Sequence, residues 1–182
     1  MSNGPTADVS VRVAWADDAE AIASVQVRSW AEQYAGLLPA GSVPDDPAPV
    51  AEAWRASLAR SADARNRVLV ALERNRVVGF AVTTPASDPD CDPVSDGELA
   101  ELVVLPDEVG KGHGSRLLQA VVETLQADRF TRAVSWAIAT DDARRAFLVG
   151  AGWDADSAHR ELDLDGSGAT TIKQIRLHTD LS

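Results

Sequence analysis

An α/β (α+β) fold built around one mixed sheet is the class this sequence predicts, and three observations carry the prediction. Several short runs alternate apolar with polar residues, the period of half-buried strands. Longer stretches repeat their apolar residues every three to four positions, the period of helices packed on one face. The two kinds follow one another as β, α, α, β, β, β, α, β, α, β, β. Tight connections between successive strands demand antiparallel neighbours, whereas the strand-helix-strand unit in the middle demands a parallel one. With 182 residues the chain is long enough to bury a proper core in one domain, expected over residues 9–182.

Residues 1–8 are small and polar and are expected to be disordered. Val9, Val11, Val13 and Trp15 alternate with Ser10, Arg12 and Ala14, which predicts a strand with one buried face. Asp17 and Glu20 have capping-box spacing, so a helix should start there. It carries Ile22, Val25, Val27, Trp30 and Tyr34 and stops at Gly36. Gly41 to Pro49 holds three prolines and two aspartates and reads as a loop. A shorter helix follows over Val50 to Arg60. Val68–Leu72 and Val77–Thr84 are apolar runs joined by Glu73-Arg74-Asn75-Arg76, the pattern of a hairpin. Pro85 to Gly97 is a second Pro/Asp/Ser loop.

The informative stretch comes next. Glu98 to Leu105 reads as a strand, and Gly110, Gly112 and Gly114 then alternate with Val109, Lys111 and His113. Glycine opens backbone conformations closed to other residues and lets a ligand approach the main chain. A helix from Ser115 to about Ala127 follows, and its first turn presents unpaired N–H groups at the positive end of the helix dipole. That arrangement suits a phosphate. A Walker-type loop is excluded because the string GxxxxGK[ST] does not occur. A dinucleotide-binding turn fits poorly, because the spacing is GxGxG and Val134 stands where an acidic residue is needed. The chain closes with a strand over Ala133–Thr140, a helix over Asp141–Val149, and strands over His159–Leu164 and Thr170–His178.

Composition excludes several functions. The formal net charge of −11 argues against nucleic acid as a partner, since phosphate backbones are bound by clustered Lys and Arg. No apolar run approaches the ~20 residues that span a bilayer, and no basic-then-apolar leader opens the chain, so a cytoplasmic protein without a membrane partner is expected. The one cysteine, Cys91, lies among aspartates that would raise its pKa and is not expected to be a nucleophile. His159 and His178 lack metal-ligand spacing, so no metal site is expected.

The string Val104-Leu105-Pro106-x-x-Val109-Gly110-Lys111-Gly112-His113-Gly114, with Leu117-Leu118 beyond it, resembles the pyrophosphate loop of the GNAT superfamily of N-acetyltransferases, whose pattern is V-x-P-x-x-[QR]-G-x-G-x-[GA]. Ser29-Trp30-x-x-x-Tyr34-x-Gly36-Leu37-Leu38-Pro39 is similar to that family's first-helix signature, and Ala139 to Trp153 to its last-helix motif. The resemblance covers nearly the whole chain. It implies a mixed, mostly antiparallel sheet flanked by helices, and transfer of an acetyl group from acetyl-CoA to a primary amine in a ternary complex. The acceptor would be a small molecule or a peptide, and a homodimer is compatible with it.

The resemblance also assigns residues. Val103 and Val104 would hydrogen-bond the pantetheine arm through their main chain, with the strand Ala133–Thr140 splayed away. Val109, Gly110, Lys111, Gly112, His113, Gly114 and Ser115 would hold the pyrophosphate, with Lys111 and Arg116 able to add charge, and Asp141 stands at the family's last-helix Asn. Trp30, Gln33 and Tyr34 would line the acceptor site. Glu98 and Glu101 are the candidate bases, because a strand carboxylate can take the amine proton directly or through water. Being three residues apart they face opposite sides of a regular strand. Glu98 occupies the position where relatives often carry Glu. His113 is expected to project from the turn without a catalytic part. Two departures matter. Val109 replaces the usual Gln or Arg, and Leu148 replaces a tyrosine that protonates the leaving thiolate. They keep a second reading open, a catalytically degenerate acyl-CoA-binding sensor or regulatory module.

Overall fold

A computed structural model of the chain describes residues 8–181. The element order is β1 (Val9–Val13), α1 (Ala19–Gln33), α2 (Pro47–Ala59), β2 (Arg67–Glu73), β3 (Arg76–Pro85), β4 (Asp96–Val104), α3 (His113–Ala127), β5 (Arg132–Ile138), α4 (Asp142–Gly150), β6 (Asp154–Asp163) and β7 (Thr171–Asp180), with one-turn 3-10 helices at Ala16–Asp18 and Pro106–Glu108. This is the predicted class, seven strands in a mixed, mostly antiparallel sheet with flanking helices. The expected disorder of residues 1–8 falls, apart from Asp8, outside the described residues.

The chain forms two compact units, one of Met1–Thr83 with Glu101–Glu123 and one of Thr84–Ala100 with Thr124–Ser182. In the first, β1 pairs antiparallel with β2 from Val9↔Glu73 to Val13↔Leu69, and β2 pairs antiparallel with β3. Arg74 and Asn75 join β2 to β3 with φ of 48° and 67°. Two successive left-handed residues suit the twist of a tight hairpin, and Asn tolerates that region better than most residues. Ile22, Val25, Leu69, Val70, Val78, Phe80, Leu117 and Val121 are almost wholly buried here, and Trp54 of α2 meets the Phe80 ring edge-on at 5.4 Å. Gly79 is dictated by space, because a Cβ there would lie 2.7 Å from the Val103 carbonyl oxygen and 3.2 Å from Leu117 Cδ1.

In the second unit β4 pairs parallel with β5 over Asp96–Glu98 and Arg132–Val134, and β7 runs antiparallel to β5 and to β6. Leu99, Leu125, Phe130, Val134, Leu148, Trp153 and Leu177 are buried. Gly97 is again fixed by packing, since a Cβ would come within 2.6 Å of Leu125 and 2.9 Å of Phe130.

The boundaries depart from expectation where local chemistry admits more than one outcome. The Asp17/Glu20 box does not form. Instead Asp18 Oδ2 accepts the Trp15 N–H at 2.6 Å and pairs with Arg12 at 2.7 Å, so a 3-10 turn precedes α1. α2 starts three residues early, at Pro47, with the Asp46 side chain accepting the Ala48 N–H at 2.9 Å. Proline suits the first turn of a helix, where its missing N–H has no intrahelical partner to lose. β4 begins at Asp96 and β3 ends at Pro85, with Ala86 N–H donating to Asp96 O, so the second predicted loop shrinks from both ends. β6 begins at Asp154, five residues early, across a bulge in which Ser157 takes φ 72°.

Candidate functional site

The glycine turn lies in the first unit and is built by the chain on either side of it. Leu105 N–H donates to Val78 O at 2.8 Å, which ties the end of β4 to β3. Ser29 Oγ donates to Val104 O at 3.4 Å. Pro106–Glu108 then turns once as a 3-10 helix, and Gly110 and Gly112 adopt φ of 82° and 87°, the left-handed region where L side chains are strained. The third glycine behaves differently. Gly114 is helical, because α3 starts at His113 rather than at Ser115, and Arg116 N–H already bonds the Gly112 carbonyl at 3.1 Å. The amides of His113, Gly114 and Ser115 precede that first bond and have no intrahelical acceptor. A Cβ on Gly110 would meet nothing within 4 Å. At Gly110 the turn therefore offers a bare main chain, whereas the Arg116 guanidinium lies beside Gly112, and Val109 is 67% exposed.

Two side chains expected near a phosphate are placed otherwise. Lys111 Nζ lies 2.8 Å from Glu108 Oε2, so its charge is committed to that carboxylate. His113 does not project from the turn but is 2% exposed, and its Nε2 has no hydrogen-bond partner. As the first helical residue it packs beneath the turn instead of standing on it. Glu108, the residue that gathers this region, carries no mark in the sequence except its place between Pro106 and the glycines. Its other oxygen accepts from Arg76 Nη2 at 2.6 Å, and these two cations hold the carboxyl at about 2. Glu73, Glu108 and His113 each bring a ligand-type atom within 4.8 Å of the others. With Arg76 and Lys111 already neutralising Glu108, the group is an ion-pair network. Arg116 guanidinium is the remaining cation of the turn, with Nη1 3.4 Å from the Lys111 carbonyl oxygen.

Of the acceptor candidates, Trp30 and Tyr34 are half-buried at the end of α1 and Gln33 is exposed. Tyr34 caps the helix, its N–H bonding Trp30 O at 3.0 Å. Burial and then the charge of Glu101 push its phenol upward, so Tyr34 and Glu101 share one electrostatic environment in this unit.

Glu98 belongs to the second unit, half-buried on β4. Burial pushes its carboxyl above the ordinary range and the charge of Asp88 adds to this, while Arg160, a hydrogen bond from the Ser87 main chain and Arg176 work against it. Sequence reasoning missed these surroundings. Arg176 of β7 is 4% exposed and forms ion pairs with Asp90 at 2.6 Å, Asp156 at 2.7 Å and Asp88 at 3.2 Å. Its guanidinium holds the Asp90 carboxyl at about 2. Trp136 Nε1 donates to Asp88 Oδ2 at 3.0 Å, and the Arg160 guanidinium lies 4.2 Å over the Trp136 ring. The usable signal was Arg176 itself, a charged residue between Ile175 and Leu177 that, once buried, must find carboxylates. Cys91, as expected, has its thiol pushed up, by burial foremost and also by Asp90, Asp96 and Asp88.

Asp141, placed at the family's last-helix Asn, is the N-cap of α4, its Oδ1 accepting the Arg144 N–H at 2.9 Å. Leu148, which replaces the tyrosine implied by the resemblance, is wholly buried.

A strand, a turn with two left-handed glycines and a helix whose first amides have no intrahelical acceptor make up this region of the α/β fold. The model of the acetyltransferase (GNAT) family matches residues 15–151, and the chain belongs to that family. Among solved structures, PaiA N-acetyltransferase from Thermoplasma acidophilum, in complex with coenzyme A, is 17% identical, with a TM-score of 0.72 and 99% of each chain covered. YncA from Salmonella typhimurium, solved with its cofactor acetyl-CoA, is 17% identical with a TM-score of 0.66, covering 96% of this chain and 95% of that one. The ribosomal-protein-S18-alanine N-acetyltransferase from Escherichia coli is 15% identical with a TM-score of 0.66, covering 96% and 94%. No curated protein matches in sequence. Among the described residues no helix is long and apolar enough to cross a membrane.

Proposed function

We propose that the chain, over residues 9–182, is one acyltransferase domain that moves the acetyl group of acetyl-CoA to a primary amine by direct attack. The observation that carries this reading is the turn from Val109 to Ser115, whose left-handed glycines precede unpaired amides at the start of α3. Family membership supports acetyl transfer, and the coenzyme A and acetyl-CoA held by PaiA and YncA support a CoA pyrophosphate as the anion. Backbone N–H donors do not depend on the side chain at 109, so valine there costs the site little. Val103 and Val104 offer main chain to the pantetheine arm, consistent with a parallel β4–β5 ladder that ends at Glu98↔Val134. Asp141 contributes at the CoA site by setting the start of α4.

In the reaction the amine nitrogen attacks the thioester carbonyl carbon, the oxyanion collapses, and the CoA thiolate departs. The amine must be neutral at attack, although a free alkyl amine has a pKa of ~10.4. Glu98 takes the proton, directly or through water, and its raised pKa brings it nearer the pH at which a base works best. Glu101 is the second candidate. Trp30, Gln33 and Tyr34 meet the acceptor, a small molecule or a peptide. Leu148 supplies no proton to the thiolate, and with a thiol pKa of ~8.5 that leaving group departs unaided and is protonated by water. A soluble, cytoplasmic setting fits the acidic chain.

Thiol release from acetyl-CoA, followed across polyamines, aminoglycosides, amino acids and peptides with free N-termini, tests the reading. Acceptor-dependent release supports the enzyme. Calorimetric binding of acetyl-CoA with no acceptor-dependent thiol anywhere in the panel replaces it with a sensor or regulatory module.

A further inference from the structure

The glycine turn presents a physical difficulty for any ligand that uses it. Gly110 and Gly112 give it the required shape, but glycine loses more conformational freedom on ordering than any other residue. A turn left free would pay that entropy at the moment of binding. Its first-turn amides have no intrahelical partner to hold them, and Val109 and Arg116 face solvent. The restraint has to come from elsewhere.

We infer that Glu108 is the positioning residue of the turn, holding it in its ligand-binding shape before acetyl-CoA arrives. This rests on the reading of the turn as the CoA pyrophosphate site. The Glu108 side chain is 8% exposed. One oxygen accepts from Lys111 Nζ at 2.8 Å, within the turn itself. The other accepts from Arg76 Nη2 at 2.6 Å, at the start of β3, and Arg76 also lies 3.6 Å from Glu73. His113 Nε2, buried and without a hydrogen-bond partner, faces the same carboxylate from 3.9 Å. One carboxylate thus closes Gly110 between Glu108 and Lys111 and fastens that side of the turn to the β2–β3 hairpin. The consequence for Lys111 is that it acts on the ligand through the shape of the turn rather than by charge. Because Arg76 and Lys111 hold the carboxyl at about 2, the clasp is complete above the ordinary carboxylate range of ~4.3 and loosens only as the pH falls from there towards 2.

Glu108→Gln keeps the shape of the side chain and removes its charge. In the folded variant the Kd for acetyl-CoA by calorimetry should rise about tenfold, with a more unfavourable binding entropy, while kcat at saturating acetyl-CoA stays within twofold of wild type. Glu108→Asp, which keeps the charge, should recover part of the affinity. A role confined to stability would lower Tm and leave both Kd and the binding entropy of the folded protein unchanged, and that result overturns the inference. If Glu108→Gln does not fold, Arg76→Ala is measured the same way; the arginine is 55% exposed, and a weaker Kd with preserved kcat is again required. Wild-type protein is the control for the underlying reading. Failure of wild type to bind acetyl-CoA removes both the site and the positioning role, whereas tight wild-type binding with unchanged affinity in the variants removes only the latter.

Discussion

The glycine turn and the surroundings of Glu98, the proposed cofactor site and the proposed base, are built in opposite ways. The turn works through main chain, with φ angles and unpaired amides set by residues contiguous in sequence, and its one organising carboxylate is two residues from the first glycine. Glu98 works through side-chain charge, and the groups that set it come from the loop before β4 (Ser87, Asp88), from β6 (Arg160) and from β7 (Arg176). A main-chain site should tolerate the loss of a side chain, which is the proposal made for Val109. A charge-tuned site is altered by any of several distant residues, because Coulombic terms in a partly buried place reach beyond direct contact.

The sharpest break of this contrast is Gly112→Asp. The substitution forces a side chain into φ 87°, sets its Cβ 3.1 Å from Arg116 Nη1 and brings a carboxylate to an anion site. Acetyl-CoA binding should fall below calorimetric detection while the fold persists by circular dichroism; unchanged affinity would move the anion elsewhere. Next in size, Glu98→Gln should lower kcat roughly a hundredfold, within the range a positioned base contributes, and leave acetyl-CoA affinity alone. Wild-type rates would hand the proton to Glu101 or to water.

A smaller effect falls on stability. Gly79→Ala presses a methyl against the backbone oxygen of Val103, which cannot rotate away as a side chain would. It should cost about 1–3 kcal/mol in denaturant unfolding, and a neutral result would show that β4 can yield. The smallest expected change is in Asp88→Asn. Removing that charge lowers the Glu98 carboxyl, so the acid limb of kcat/KM should move to lower pH while Trp136 keeps an acceptor. A limb that stays in place would show that Asp88 does not contribute, and one that moves upward would contradict its raising of Glu98.

The legibility of the two regions follows the same division. Strands and helices were readable because their periods are local, and so was the glycine turn as a turn, because its glycines alternate within a short stretch of chain. Errors at element ends came from choices with nearly equal local energies. Asp18 replaced Asp17 at the first helix entry, and Pro47 proved a helix start rather than a loop residue.

The order of elements, the glycine turn, its family and the candidate carboxylates on β4 were determined by the sequence itself, since each depends on neighbours within a few residues. The burial of His113, the pairing of Glu108 with Arg76 and the cluster of Asp88, Trp136, Arg160 and Arg176 were decided only by tertiary structure. Those contacts join residues up to 88 positions apart, and buried charges find partners according to where the folded chain carries them rather than where the sequence lists them.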